Sequence, residues 1–148
     1  MSREEKKTLI DFTIRHAWHR ISRMYNQKAV IHGITMSYGF ILMTVEKEGT
    51  PSTKLGPMMG MEPTSLSRTL KSMEDEGFLI RRESEKDRRK VHIFLTEKGI
   101  EKRRLVRSFL ISFNNELESK TSPEDLKGFH KVMNALDNLM DEIDKEQK

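Results

Sequence analysis

Between Gly60 and Gly99 the chain carries an ordered set of signals that leaves few folds open. The turn "GME" at 60–62 precedes Pro63, whose fixed φ and missing N–H suit the first position of a helix. The helix so begun reads to Glu76, and Gly77 stops it. Two short segments rich in β-formers follow, "FLIRR" at 78–82 and "VHIFL" at 91–95, around a polar loop at 83–90. They predict an antiparallel hairpin. Thr96 then stands as an N-cap for a helical segment to about Glu118, with Val106, Leu110, Phe113 and Leu117 on one face.

The flanks are helical. Over about residues 4–30, Ile10, Ile14, Ala17, Ile21 and Met24 fall at spacings of four and three, one face of an amphipathic helix ending near Gly33. A second helix is expected from Met36 to Lys47, with Gly49, Thr50 and Pro51 as the break. A short helical unit covers Ser52 to about Met59. Gly56 and Pro57 lie inside it, and an interior proline removes a bond and clashes with the preceding turn, so this helix is expected to begin late or be distorted. Near the other end, Ser122, Pro123 and Asp125 match a capping box. Leu126, Phe129, Met133, Leu136, Met140 and Ile143 then follow spacings of 3, 4, 3, 4 and 3. So narrow a stripe suits a partner helix, with packing inside the chain as the alternative.

The order short helix, turn, helix, hairpin describes a mainly α chain with a small β-hairpin: a winged helix-turn-helix flanked by N- and C-terminal helices. The expected divisions are 1–33 for the dimerising N-terminal helix, 34–98 for the winged unit and 99–148 for the dimerising C-terminal helices. In such a unit the second helix enters the DNA major groove with its N-terminal residues toward base edges. Here Leu66, Leu70 and Met73 form its inner face, which leaves Thr64, Ser65, Ser67, Arg68 and Lys71 toward solvent or DNA. Hydroxyls bond bases or phosphates, and an arginine can pair with two acceptors on guanine. The acidic Glu74, Asp75 and Glu76 come at the far end. The same residue types also occur on any solvated face, and it is the turn before and the hairpin after that make the pattern specific.

Charge supports a polyanion partner. Residues 63–104 hold twelve Lys/Arg against eight Asp/Glu, and residues 114–148 hold five against nine. In the loop "EKDRRK", Arg88, Arg89 and Lys90 are suited to DNA. A hairpin tip beside a recognition helix lies over the minor groove, whose narrow A·T tracks attract arginine. Asp87, two residues before Arg89, could orient that guanidinium through a planar ion pair. A charged loop that only keeps an edge hairpin soluble is the plainer reading.

"GMEPTSLSRTLKSMEDEGFLIRR" followed by "DRRKVHIFLTEKG" resembles the MarR family of winged helix-turn-helix transcriptional regulators. The resemblance rests on Ser67 with Arg68, on Glu76 to Phe78 with Arg82, on Asp87 with Arg89, and on Leu95, Thr96 and Gly99. It implies a homodimer with interlocked terminal helices, a pseudo-palindromic operator, and repression released by a small-molecule effector. It also implies a minor-groove contact by Arg89 oriented by Asp87, and major-groove contacts by Thr64, Ser65, Ser67 and Arg68.

Other classes find less support. There is no P-loop, Gly-x-Ser-x-Gly elbow, His-Glu-x-x-His or dinucleotide glycine pattern, so an enzyme is not expected. The absence of cysteine removes disulfides and thiolate metal sites. A metal-responsive regulator would have to use His16 and His19, with His32 or His130, and nothing fixes the remaining ligands. No metal or cofactor is therefore assigned. Trp18 and the ten methionines fit either a ligand pocket or core filling. A winged helix kept only for protein interaction is the remaining rival. No apolar run approaches the roughly 20 residues that span a bilayer. With an opening "MSREEKKTLI" that lacks a secretory apolar core, a cytoplasmic location is expected. Arg89→Ala should weaken operator binding in a gel-shift titration while leaving the dimer and its thermal unfolding nearly unchanged; equal affinity would remove the wing from the mechanism.

Overall fold

A computed structural model describes residues 9–83 and 90–146. In chain order the elements are α1 (Ile10–Ile31), α2 (Met36–Thr44), β1 (Thr50–Pro51), α3 (Ser52–Met59), α4 (Pro63–Asp75), β2 (Leu79–Glu83), β3 (Val91–Leu95), α5 (Glu97–Glu118) and α6 (Pro123–Glu146). Contacts divide the chain into two compact units, Met1–Val106 and Arg107–Lys148.

In the first unit the helix signals act as their chemistry requires. Pro63 opens α4, and Gly77, at φ 77°, ends it. The Phe78 N–H returns to the Met73 carbonyl at 2.8 Å and the Gly77 N–H to Glu74 at 2.9 Å, which satisfies the last carbonyls of the helix. The hairpin is antiparallel with Leu79 opposite Leu95, Arg81 opposite Ile93 and Glu83 opposite Val91. Leu66, Leu70 and Met73 of α4 join Tyr38, Ile41 and Leu42 of α2, Leu55 of α3, and Phe78, Leu79 and Ile93 in one buried cluster. Burial of a side chain of this kind contributes about 1.5–3 kcal/mol, so this cluster is what holds α4 to the body.

Three expectations need correction. The second helix stops at Thr44 rather than Lys47, because Val45 turns extended (φ −67°, ψ 124°) and its side chain enters the core. The guanidinium of Arg103, on α5, occupies the Leu42 and Val45 carbonyl oxygens left open there. Second, Thr50 and Pro51 are not merely a break. They form a third strand, β1, with Thr50 opposite Ile93 and Pro51 opposite His92, giving the sheet order β1-β3-β2. The Thr50 hydroxyl accepts the Glu46 N–H at 2.9 Å and so shapes the entry to that strand. Third, α3 does not begin late. It is helical from Ser52, with Pro57 inside, and closes through Gly60 at φ 60°, where the Met61 N–H reaches the Gly56 carbonyl at 3.0 Å.

The junction of α4 with α5 is tightly built. The Thr96 hydroxyl accepts the Gly99 N–H at 3.1 Å, as an N-cap should, and donates to the Gly77 carbonyl at 2.6 Å. The Thr96 N–H donates to the Phe78 carbonyl at 3.1 Å, and the Lys98 ammonium to the Glu76 carbonyl at 2.7 Å. A Cβ on Gly99 would collide with the Phe78 carbonyl oxygen.

In the second unit, Ser122 and Asp125 form the expected capping box. The Ser122 N–H and hydroxyl donate to the Asp125 carboxylate at 3.1 and 2.8 Å, and the Asp125 N–H donates back to the hydroxyl at 3.1 Å. These bonds hold the exposed Asp125 carboxyl below its ordinary pKa. No residue of α6 is buried: along the predicted stripe Leu126, Met133, Leu136 and Ile143 are half-exposed, Phe129 is 57% exposed and Met140 44%.

Helix propensity alone would favour Gly99→Ala by roughly 1 kcal/mol. The collision with the Phe78 carbonyl should reverse that sign, destabilising the fold by about 1–3 kcal/mol as overpacking does. The measurement is the urea midpoint at fixed protein concentration, and a midpoint at or above that of the native chain would contradict the close approach.

Candidate nucleic-acid interface

The buried residues of α4 fix which way its other face looks. With Leu66, Leu70 and Met73 locked in the core, Thr64, Ser65, Ser67, Arg68 and Lys71 are all exposed on the first two and a half turns. The Thr69 hydroxyl bonds back to the Ser65 carbonyl at 2.9 Å and is thereby spent inside the helix. Lys71 pairs with Asp75 at 3.0 Å, one turn on, in an exposed contact that its ammonium could exchange for a phosphate. Arg68 makes no ion pair among the described residues, so its five donors are free for an outside acceptor.

Lys90, immediately before β3, is exposed. Asp87, Arg88 and Arg89 lie outside the described residues. Between β2 and β3, the Arg82 guanidinium stands 5.3 Å from the Phe94 ring centroid, a cation–π contact that keeps the head of this side chain on the sheet. The candidate dimer residues on α1 are accessible within the chain: Ile10 is 59% exposed and Ile14 is half-buried. His16 and His19 are exposed on the same helix, and among the described residues no group of three or more His, Asp or Glu is placed to hold a metal ion. Trp18 is half-exposed and stacks on Phe40 of α2, with centroids 6.2 Å apart.

Several residues that aim α4 were not singled out from the sequence. The Tyr38 hydroxyl, on α2, donates to Glu76 at 2.6 Å; burial, and then this hydrogen bond, raise the tyrosine pKa. The Glu74 carboxylate accepts the Arg81 backbone N–H at 3.2 Å and lies 3.2 Å from the Arg81 Nε. Burial lowers the pKa of Arg103 from the ordinary guanidinium value, while its two carbonyl acceptors satisfy the charged form. One signal for the first two pairs was present: acidic residues at a helix C-terminus oppose the macrodipole and so ask for partners. Arg103 gave none, because its acceptors are carbonyls about sixty residues away. A cavity of about 680 Å³ opens between α3, α4 and the sheet, lined by Gly56, Pro57, Ser67, Leu70, Arg81 and Ile93 among others.

Comparison with known proteins agrees with this geometry. Residues 34–91, from the end of α1 to the first residue of β3, match the MarR family model. The chain is 30% identical over 89 residues to the HTH-type transcriptional regulator TtmR of Methylorubrum extorquens, covering 60% of this chain and 46% of that protein. It is 32% identical over 101 residues to the organic hydroperoxide resistance transcriptional regulator of Bacillus subtilis, covering 67% and 66%. The chain thus spans about half the length of TtmR. Its fold superposes on the crystal structure of the S. aureus MepR-DNA complex with a TM-score of 0.78 at 19% identity, covering 86% of this chain and 96% of that one. No described helix is long and apolar enough to cross a membrane. With the family model matched from α2 through β2, and with the relatives and the fold in agreement, the chain belongs to the MarR family.

Proposed function

We propose that this protein is a sequence-specific, DNA-binding transcriptional regulator that acts in the cytoplasm as a homodimer on a pseudo-palindromic operator. The observation that carries the reading is the exposed face of α4: hydroxyls at Thr64, Ser65 and Ser67 beside Arg68, which makes no ion pair among the described residues, on a helix whose other face is immobilised in the core. Residues of that type reach base edges and phosphates when a helix lies in the major groove. Arg68 reads bases, Lys71, Arg88 and Lys90 serve the backbone, and Asp87 and Arg89 form the minor-groove part of the contact.

The apolar stripe of α6, which is only partly buried within the chain and leaves Phe129 and Met140 exposed, supports the dimer together with Ile10 and Ile14 of α1, since such a stripe in water is stabilised by a second helix. In this organisation residues 1–33 and 99–148 dimerise and 34–98 bind DNA. Two recognition helices then address successive major grooves, with half-site centres roughly 10 bp apart. Repression released by a small-molecule effector is the mode of control in this reading, and catalysis has no part in it.

The test is selection of duplexes from a randomised pool, followed by titration of the tightest-bound duplex across salt. A protein contacting several phosphates loses orders of magnitude in affinity between about 50 and 200 mM salt. Absence of salt-dependent duplex binding would defeat the proposal. On the same duplex, Arg68→Ala should cost about 1–3 kcal/mol and relax discrimination at one base position; an unchanged preference would reassign Arg68 to phosphate.

A further inference from the structure

The recognition helix ends in three consecutive acids, Glu74, Asp75 and Glu76, where the helix macrodipole disfavours negative charge and where a DNA-binding surface gains nothing from it. Each acid has a different partner. Asp75 takes Lys71 of its own helix at 3.0 Å, and Glu76 takes the Tyr38 hydroxyl of α2 at 2.6 Å. Glu74 reaches the wing, with one carboxylate oxygen 3.2 Å from the Arg81 backbone N and the other 3.2 Å from the Arg81 Nε.

That last contact lies at a particular place in the sheet. In the order β1-β3-β2, the strand β2 is an edge, and its Arg81 is opposite Ile93 of β3. An edge strand presents N–H groups with no neighbouring strand to accept them. Glu74 fills that vacancy with an acceptor from α4, and its second oxygen holds the side chain of the same residue. One carboxylate thereby fixes both the backbone and the guanidinium of Arg81 relative to the helix. Nearby, the cavity between α4 and the sheet, lined by Ser67, Leu70, Arg81, Val91 and Ile93, leaves part of this helix-to-wing seam without tight apolar packing.

We propose that Glu74 and Arg81 are positioning residues for DNA binding, a tie that sets the wing strand against the recognition helix so that both meet the duplex in register. The proposal rests on the DNA-binding function proposed above. Glu74 and Arg81 are 39% and 33% exposed in their side chains, so the pair adds little to global stability. Its effect is on geometry, which a rigid groove contact reads directly.

The sign of one substitution separates this role from simple electrostatics. Removing an acid close to a polyanion should tighten binding, whereas removing a tie should weaken it. The duplex selected from the randomised pool is titrated at fixed salt with the full chain and with Glu74→Ala, Glu74→Gln, Arg81→Gln and the double variant Glu74→Ala/Arg81→Gln. Glu74→Ala should weaken binding by roughly two- to 150-fold, the range of coupling between residues in contact. Glu74→Gln should recover part of the loss, because its amide oxygen still accepts the Arg81 N–H. The double variant should bind no more weakly than Arg81→Gln alone. Thermal midpoints should stay within about 4 °C of the native chain, as for a change of well under 1 kcal/mol in a domain this size. Amide exchange at Arg81 in the free protein should quicken in Glu74→Ala. A Glu74→Ala protein that binds as tightly as the native chain, or more tightly, would overturn the tie, as would an unmoved Arg81 amide. A native chain with no salt-dependent duplex binding would instead sink the DNA-binding reading beneath it.

Discussion

Two helix ends neutralise each other across Thr96. A helix finishes with carbonyls that have no partner and starts with N–H groups that have none, and here the finish of α4 is set against the start of α5. The Thr96 hydroxyl bonds to both, accepting from the Gly99 N–H and donating to the Gly77 carbonyl, while its backbone N–H takes the Phe78 carbonyl. Lys98 adds a cation at the Glu76 carbonyl, the favourable end of the dipole for positive charge. Glycine at position 99 is what permits the approach, since any side chain would meet the Phe78 carbonyl. The direction of α4 therefore depends on a junction that contains none of the residues proposed to face DNA.

A similar division of labour recurs around α4. Its inner face is held by burial, which is strong but has little sense of rotation. Its last turn is held by hydrogen bonds from three separate elements: Tyr38 on α2, Arg81 on β2 and Lys98 on α5. Directional bonds at one end and apolar packing along one side fix both the tilt and the roll of a helix. The N-terminal half is left with exposed hydroxyls and, at Arg68, a guanidinium that makes no ion pair among the described residues. The polar groups that orient the helix, at Glu74 and Glu76, thus follow those assigned to its partner, from Thr64 to Lys71, along the same helix and its C-cap.

What could be read from the sequence was local chemistry. Pro63, Gly77, Thr96 and the pair Ser122 with Asp125 act on neighbours within a few positions, and each stands where its chemistry predicted. Features set by distant residues were not legible. The early end of α2 goes with burial of Val45 and with Arg103, which binds carbonyls about sixty positions away, and β1 is a strand only because β3 lies beside it. Two residues of "TP" carry no periodicity of their own, and next to Gly49 they read as a break. The interior proline misled for a related reason. The helix accommodates Pro57 from its first turn at Ser52 to its close at Gly60, with Leu55 and Gly56 buried. On the candidate interface the exposed set from Thr64 to Lys71 was readable from the core spacing alone, whereas the cross-element roles of Glu74 and Glu76 needed the fold.

Pro51 has a consequence for how the molecule can associate. It occupies β1, one border of the three-stranded sheet, and has no N–H to offer an incoming strand. At the other border the Arg81 N–H is already taken by a side chain. Both margins of the sheet are therefore poor templates for strand addition, the route by which small sheets polymerise. With Pro51 and the occupied Arg81 N–H at the described sheet margins, the proposed pairing through α6 would be a finite helical assembly rather than open-ended growth along the sheet.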